Sequence, residues 1–378
     1  MSKYELSISA DYVPTWGVVE GAREFFQNAL DEQVADPENK MFFEYDEDEG
    51  ILRIGNKLST LDIQTLLFGK SSKPENSGMI GRFGEGYKIA TIVFLRNGKE
   101  VTFYNYCSRE IWHTRLVKSR RYQGALVPTF FVDKVKIWDK VPENSLIIEI
   151  KGITPEEYES IQESNLWLQG FYDGNHESEY HDTSYGKILL KDEYKHKLFV
   201  SGLFVCEHDD LKYGYDVHPD QIKLDRDRGL VSDIDLAFLT SRMWTSYSLG
   251  KPAAVDADTL SVVEAFDGKY MHYSASSDLK SQVANDFIKE NGPKAVPVST
   301  QEEADQMTKL DLKPVYVTEN KKNLITTSEE FQSNQTGYKI KTLWDRLKDL
   351  ADSVDDRLTE DERSEFEYIL EKSRWILN

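Results

Sequence analysis

Apolar positions along this chain switch between helical and strand spacing, and the switches mark its elements. Residues 16–34 place Val18, Ala22, Phe25, Phe26 and Ala29 on one side of a helix, which predicts an amphipathic element with a buried face. Met41–Tyr45 and Ile51–Ile54 are short β-prone runs around the acidic turn Asp46-Glu47-Asp48-Glu49-Gly50, the pattern of a hairpin. Ser59-Thr60-Leu61-Asp62 has the form of a capping box ahead of Leu66, Leu67 and Phe68, and predicts a short helix. The small polar residues from Gly69 to Gly78 predict a mobile loop placed to act as a lid. Ile89–Leu95 predicts a helix stopped at Asn97-Gly98. Val101–Tyr106, Ile111–Val117, Phe130–Ile137 and Leu146–Ile150 are rich in β-branched and aromatic residues and read as strands. The first 150 residues therefore predict helices covering one face of a mostly antiparallel sheet, an α+β layer.

Beyond that point Thr154-Pro155-Glu156-Glu157 starts a helix, and the polar stretch Tyr172–Ser184 reads as a linker or long surface loop. Lys187–Lys191 and Lys197–Glu207 read as strands, and Ser232–Trp244 as a serine-capped helix. From Asp278 to Val317 a helix, strand Ala295–Val298, helix Thr300–Thr308 and strand Val315–Val317 predict a small α/β module. Two amphipathic helices are predicted from Lys339 onward, the second capped by Thr359 with Glu362 behind it. This reading divides the chain into domains 1–153, 154–275 and 276–378.

Composition narrows the classes. With 378 residues, 39% hydrophobic and 12% aromatic, the chain is long enough for two or three packed domains. No apolar run approaches the roughly 18 residues needed to cross a bilayer, and the first residues lack a signal-peptide pattern, so the expected place is the cytoplasm, a host's if the chain is viral. Cys107 and Cys206 are its only cysteines, which supports neither a disulfide framework nor a zinc cluster. A net charge of −20 argues against broad nucleic-acid or membrane binding, with Arg115, Lys118, Arg120 and Arg121 as one local basic run.

Two segments carry candidate chemistry. On the first helix Glu24, Asn28 and Asp31 fall within about 60° of one another, opposite the apolar face. A carboxylate one turn from a carboxamide suits a general base beside an oxygen ligand for Mg²⁺. The second segment is Ile80-Gly81-Arg82-Phe83-Gly84-Glu85-Gly86-Tyr87-Lys88, three glycines feeding a helix N-terminus, where backbone N–H groups can wrap a phosphate. Gly69-Lys70-Ser71 imitates the end of a Walker A loop, but that motif needs a glycine where Gln64 stands.

These residues resemble the superfamily of gyrase, heat-shock-chaperone, histidine-kinase and MutL ATPases, whose nucleotide site is called the Bergerat fold. Glu24-x₃-Asn28-x₂-Asp31 is similar to that family's N box, and Gly81-x-Phe83-Gly84-x-Gly86 to its glycine box, over about residues 15–152. The resemblance implies that Glu24 polarises the attacking water, that Asn28 binds Mg²⁺, and that Arg82, Glu85, Tyr87 and Lys88 stand beside ATP phosphates. It implies that Lys70, Ser71, Ser72 and Lys73 belong to the lid and Ser145 to the strand near the base. The family's adenine-binding aspartate is absent, and Asn56 stands in its place, its amide oxygen able to accept from an amino group and its NH₂ able to donate. A cation for the γ-phosphate is expected from Arg226 or Arg228, with Lys187 and Lys191 behind them. The implied fold is a Bergerat-type α/β sandwich, then a transducer-like α/β domain and a helical C-terminus. A narrower resemblance is to bacteriophage ATPase-like proteins.

The resulting expectation is a Mg²⁺-dependent ATPase that drives a conformational switch, with a protein partner and, as in many such ATPases, a homodimer to be tested. The alternative is a nucleotide-binding interaction protein that captures a host or partner protein without turnover. A nucleic-acid remodelling component would need a basic groove that the composition does not suggest.

Overall fold

A computed structural model of the chain describes residues 1–66, 86–135, 143–223, 232–249 and 255–334, with isolated positions between 347 and 369. The chain forms two compact units, Met1–Met243 and Trp244–Asn378.

In the first unit the elements run β1 (Ser2–Glu5), α1 (Val18–Ala35), β2 (Met41–Asp46), β3 (Ile51–Asn56), α2 (Gly86–Arg96), β4 (Glu100–Asn105), β5 (Glu110–Lys118), β6 (Leu126–Lys134), β7 (Leu146–Lys151) and α3 (Pro155–Glu163). The seven strands form one sheet in the order β1-β6-β5-β4-β7-β3-β2. Every neighbouring pair in it is antiparallel. One face alternates out of the pleat into the core: Leu52, Ile54, Phe103, Trp112, Phe130, Ile148 and Ile150 are buried there against Ala22, Phe25 and Ala29 of α1 and Ala90 and Phe94 of α2. This is the expected α+β layer.

Helices α1 and α2 lie side by side. A Cβ on Gly21 would come within 3.0 Å of the Phe94 ring, so a larger residue would require that ring to shift. Phe25 stacks on Phe94 with ring centroids 5.7 Å apart, and truncating such a buried ring costs about 3–5 kcal/mol. The helix α2 ends as its sequence predicts, with Gly98 left-handed at φ +75°.

Three strand readings are corrected. The sixth strand starts at Leu126, not Phe130, and runs through Pro128. That proline is tolerated because its carbonyl accepts from Leu6 N–H, so its nitrogen faces the side where β1 has already ended and the ladder to β5 loses no donor. The polar stretch Tyr172–Ser184 holds a strand, β8 (Tyr180–Thr183), at the edge of a second sheet. Lys197–Glu207 is two strands, β10 (Lys197–Val200) and β11 (Leu203–Glu207), joined by a tight turn in which Ser201 and Gly202 have φ +50° and +80°. With β9 (Gly186–Leu189) and β12 (Gly214–Val217), these make a five-stranded sheet of order β11-β10-β12-β9-β8.

Helix α1 is wrapped on two sides within this unit. Its Phe26 and Leu30 cluster with Leu203 of β11, with Met41, Phe43, Trp167 and Leu168 packed around them. The chain continues through α4 (Asp233–Leu249).

The second unit contains α5 (Ala257–Ser261), α6 (Ser277–Asn291), β13 (Ala295–Val298), α7 (Gln301–Lys309), β14 (Lys313–Tyr316), α8 (Glu319–Thr326) and α9 (Glu329–Asn334). Strands β13 and β14 are parallel, the pairing expected of a small α/β module. Serine and threonine caps begin α6, α7 and α8, at Ser276, Thr300 and Thr318. The expected lid and all but isolated positions of the expected C-terminal helices lie outside the described residues.

Candidate functional site

The acid and the amide meet the last glycine. Glu24 and Asn28 sit one turn apart on α1, and Gly86 opens α2 directly opposite them. A Cβ built on Gly86 would lie 2.6 Å from Asn28 Nδ2 and 3.0 Å from Glu24 Oε2. Any side chain there would displace both groups, so the backbone at the start of α2 lies against the acid-amide pair. The unpaired N–H groups of a helix's first turn carry partial positive charge, which favours an anion at this seam.

Asn28 is held in one orientation. Its Nδ2 donates to the carbonyl of Glu24 at 2.7 Å, which uses one N–H of the amide, and a carboxamide oxygen is the atom suited to a hard cation. Glu24 is 6% exposed, with Arg23 Nε 3.8 Å from its Oε1. Asp31, two turns along, is buried as well.

The helix that follows the glycine sends its next two side chains inward. Tyr87 packs on the core with its ring 6.0 Å from Phe25 and 6.5 Å from Phe103. Burial, reinforced by the charges of Glu32 and Asp31, holds its phenol well above the ordinary value. Lys88 is fully buried, and its ammonium donates to the carbonyl of Thr65 at 2.8 Å.

Asn56 closes β3, fully buried, at the other side of α1. Its Nδ2 donates to the carbonyls of Ala29 at 2.8 Å and Asn39 at 3.2 Å. Its Oδ1 is buried and accepts from no described residue. An aspartate here could make neither of those bonds, which gives a physical reason for the amide at this position. A polar network extends from it: Asn39 Nδ2 donates to Ser59 Oγ at 2.9 Å, and Ser145 Oγ donates to the carbonyl of Ser59 at 2.6 Å. Ser145 therefore lies beside Asn56 through Ser59, next to Leu146, the ladder partner of Asn56.

The structure thus brings Glu24, Asn28 and Gly86 together and sets Asp31, Asn56, Tyr87, Lys88 and Ser145 around α1. Lys70, Ser71, Ser72, Lys73, Gly81, Arg82, Phe83, Gly84, Glu85, Arg226 and Arg228 lie outside the described residues. Of the outlying lysines, Lys187 pairs with Asp182 at 3.1 Å and Lys191 with Glu179 at 2.9 Å. Sequence reasoning passes over Arg23, Gln27 and Asn39, all buried polar side chains around the same helix. Periodicity could have flagged only Gln27, a polar residue within the Glu24–Asp31 stripe; its Oε1 accepts from no described residue.

No protein-family model and no curated protein matches the sequence. Among solved structures, the chain is similar to the ATPase region of Saccharomyces cerevisiae topoisomerase II, at 11% identity and a TM-score of 0.32, over 54% of this chain and 69% of that one. It is also similar to the same region bound to ICRF-187 (dexrazoxane), at 12% identity and a TM-score of 0.32, covering 50% of this chain and 62% of that one. The chain thus spans a little under two thirds of the second of these. No helix among the described residues is long and apolar enough to cross a membrane.

Proposed function

We propose that the first unit binds Mg²⁺-ATP at the seam between α1 and α2 and hydrolyses it, and that hydrolysis drives a conformational switch. The observation that carries this reading is the abutment of Gly86 on Glu24 and Asn28, a cradle that a Cβ would fill. The donor set suits the ligand: an amide oxygen for a hard cation, a helix N-terminus for phosphate and a carboxylate for water. Asn28 would hold Mg²⁺, which when bound offsets charge on the phosphates. Glu24 would orient a water and take its proton at the carboxylate.

Asn56 would face the base. Both of its N–H donors are committed to Ala29 and Asn39, so the amide can offer only an acceptor. An acceptor selects an exocyclic amino group and penalises a carbonyl in the same place. Lys70–Lys73 and the Gly81–Gly84 segment would close over the phosphates, and Arg226 or Arg228 would add a cation.

Phosphate release measured for the chain and for Glu24→Gln tests the reading. Turnover should fall about 100-fold or more in the variant while Mg²⁺-ATP affinity stays within about threefold, the behaviour of a lost general base. Equal turnover in both proteins would remove the enzymatic claim. Retained binding without turnover in either would favour the interaction protein.

A further inference from the structure

Arg23 precedes Glu24 on α1 and is almost fully buried, an expensive place for a guanidinium. Among the described residues, three different neighbours lie close to it. Its Nε lies 3.8 Å from Glu24 Oε1, and its Nη1 donates to the carbonyl of Phe204 at 3.3 Å. Its Cζ stands 5.0 Å from the centre of the Trp16 ring, within reach of a cation–π contact. The planar fork of an arginine can hold a carboxylate and a carbonyl at once, which a lysine's single ammonium does less well.

Phe204 is on β11, in the second sheet, and the turn before it is rigidly held. Gly202 N–H donates to Asp216 Oδ1 at 2.7 Å, and Tyr172 OH donates to the other oxygen of the same carboxylate. Trp167 Nε1 donates to the carbonyl of Ser201 at 2.9 Å, and Leu166 N–H to that of Gly202 at 2.8 Å. A Cβ on Gly202 would come within 2.7 Å of Trp167, so the turn packs closely on that ring. Next to it, Leu203 packs on Phe26 and Leu30 of α1. The turn before Phe204 is therefore tied to the second sheet by hydrogen bonds, and Leu203 beside it packs on the helix bearing Glu24.

Resting on the ATPase reading, we infer that Arg23 is a positioning residue: it sets the Glu24 carboxylate by anchoring it to the Phe204 carbonyl of the second sheet. A displacement of the β10–β11 turn then reaches Glu24 through one side chain. This gives the switch a route in the direction opposite to nucleotide binding, from the second sheet to the acid.

The test measures phosphate release, Mg²⁺-ATP affinity and melting temperature for Arg23→Ala, Arg23→Lys, Glu24→Gln, and Tyr172→Phe alone and combined with Arg23→Ala. A mispositioned carboxylate should lower kcat about tenfold or more in Arg23→Ala, with affinity within about threefold and partial recovery in Arg23→Lys. Tyr172→Phe should lower kcat in the native background and add nothing on top of Arg23→Ala, because residues on one route are not additive. A kcat within about twofold of native in Arg23→Ala, with Glu24→Gln inactive, overturns the positioning role and leaves the ATPase reading standing. Equal loss of affinity and melting temperature in both Arg23 variants overturns it too, since that is the signature of a structural residue. Unimpaired turnover in Glu24→Gln overturns the ATPase reading and this inference together.

Discussion

Glu24 and Asp216 are both buried carboxylates of the first unit, and their surroundings differ. Asp216 is closed off by its own fold: Tyr172 donates to one oxygen and Gly202 N–H to the other, and the group ties β12 to the turn between β10 and β11. Burial pushes its carboxyl up, against the lowering effects of those two hydrogen bonds and of the nearby His218 and Lys187. Glu24 instead lies where two helices meet at a glycine backbone, beside the Asn28 amide and an arginine that reaches the second sheet. Burial alone distinguishes neither acid as functional. The difference lies in what surrounds each acid: hydrogen-bond donors from its own fold around Asp216, and a glycine backbone beside Glu24.

On the proposed function, substitutions at the α1–α2 seam should act on ligand binding, whereas those in the closed cluster should act on stability. The largest effect is expected from Gly86→Ala, whose new Cβ would press on Asn28 and Glu24. Mg²⁺-ATP affinity, read by calorimetry, should fall about tenfold or more with little change in melting temperature, because alanine is the better helix former and the damage is to the cradle. Unchanged affinity would mean that the seam is ordinary helix packing.

Asn56 stands between the two extremes, part fold and part site. Asn56→Asp removes both donations, to Ala29 and Asn39, and buries a charge, so urea denaturation should show a loss of about 2–4 kcal/mol. In the native chain its oxygen should favour ATP over inosine triphosphate, which carries a carbonyl in place of the amino group, by about tenfold or more. Equal competition by the two nucleotides would place the base elsewhere.

The smallest effect is a pH dependence. Folding raises the pKa of Asp216, so the folded chain binds a proton that the unfolded chain releases between the ordinary carboxylate value of 3.8 and the raised one. The contribution of this group to stability is therefore greatest at the acid end of that window and is lost as pH rises through it. Asp216→Asn should lack this dependence: in urea titrations, the difference in stability between native and variant should shift in favour of the native chain as pH falls toward the ordinary carboxylate range. A pH-independent difference would show that the cluster does not hold its proton in this way.

The same contrast explains what was legible in the sequence. Six of the seven strands in the large sheet and the helices α1 and α2 are written in apolar periodicity, as Phe25, Phe103, Trp112 and Ile148 attest, because a one-sided core demands alternation, whereas the mostly exposed edge strand β1 carries no such signal. Glu24 and Asn28 are legible since a helix turns sequence spacing into a shared face. Strand β8 is not, because an edge strand reading Tyr-His-Asp-Thr has no apolar face to announce it. Arg23 and Asn39 are hidden for a different reason: whether a polar side chain is solvated or buried depends on which remote element covers it. Phe204 lies 181 residues beyond Arg23, and no local pattern records that meeting. Pro128 misleads because its missing donor matters only on the side where a neighbouring strand continues.

The claim that the seam between α1 and α2 takes a magnesium-bound triphosphate is tested most directly by calorimetric titration of ATP into the full chain, with Mg²⁺ and with a chelator. A saturable heat that requires Mg²⁺ is expected, with a matching rise in melting temperature, since a ligand at about 100 times its Kd stabilises by about 2.7 kcal/mol. A flat titration in both conditions, with no thermal shift, would contradict it.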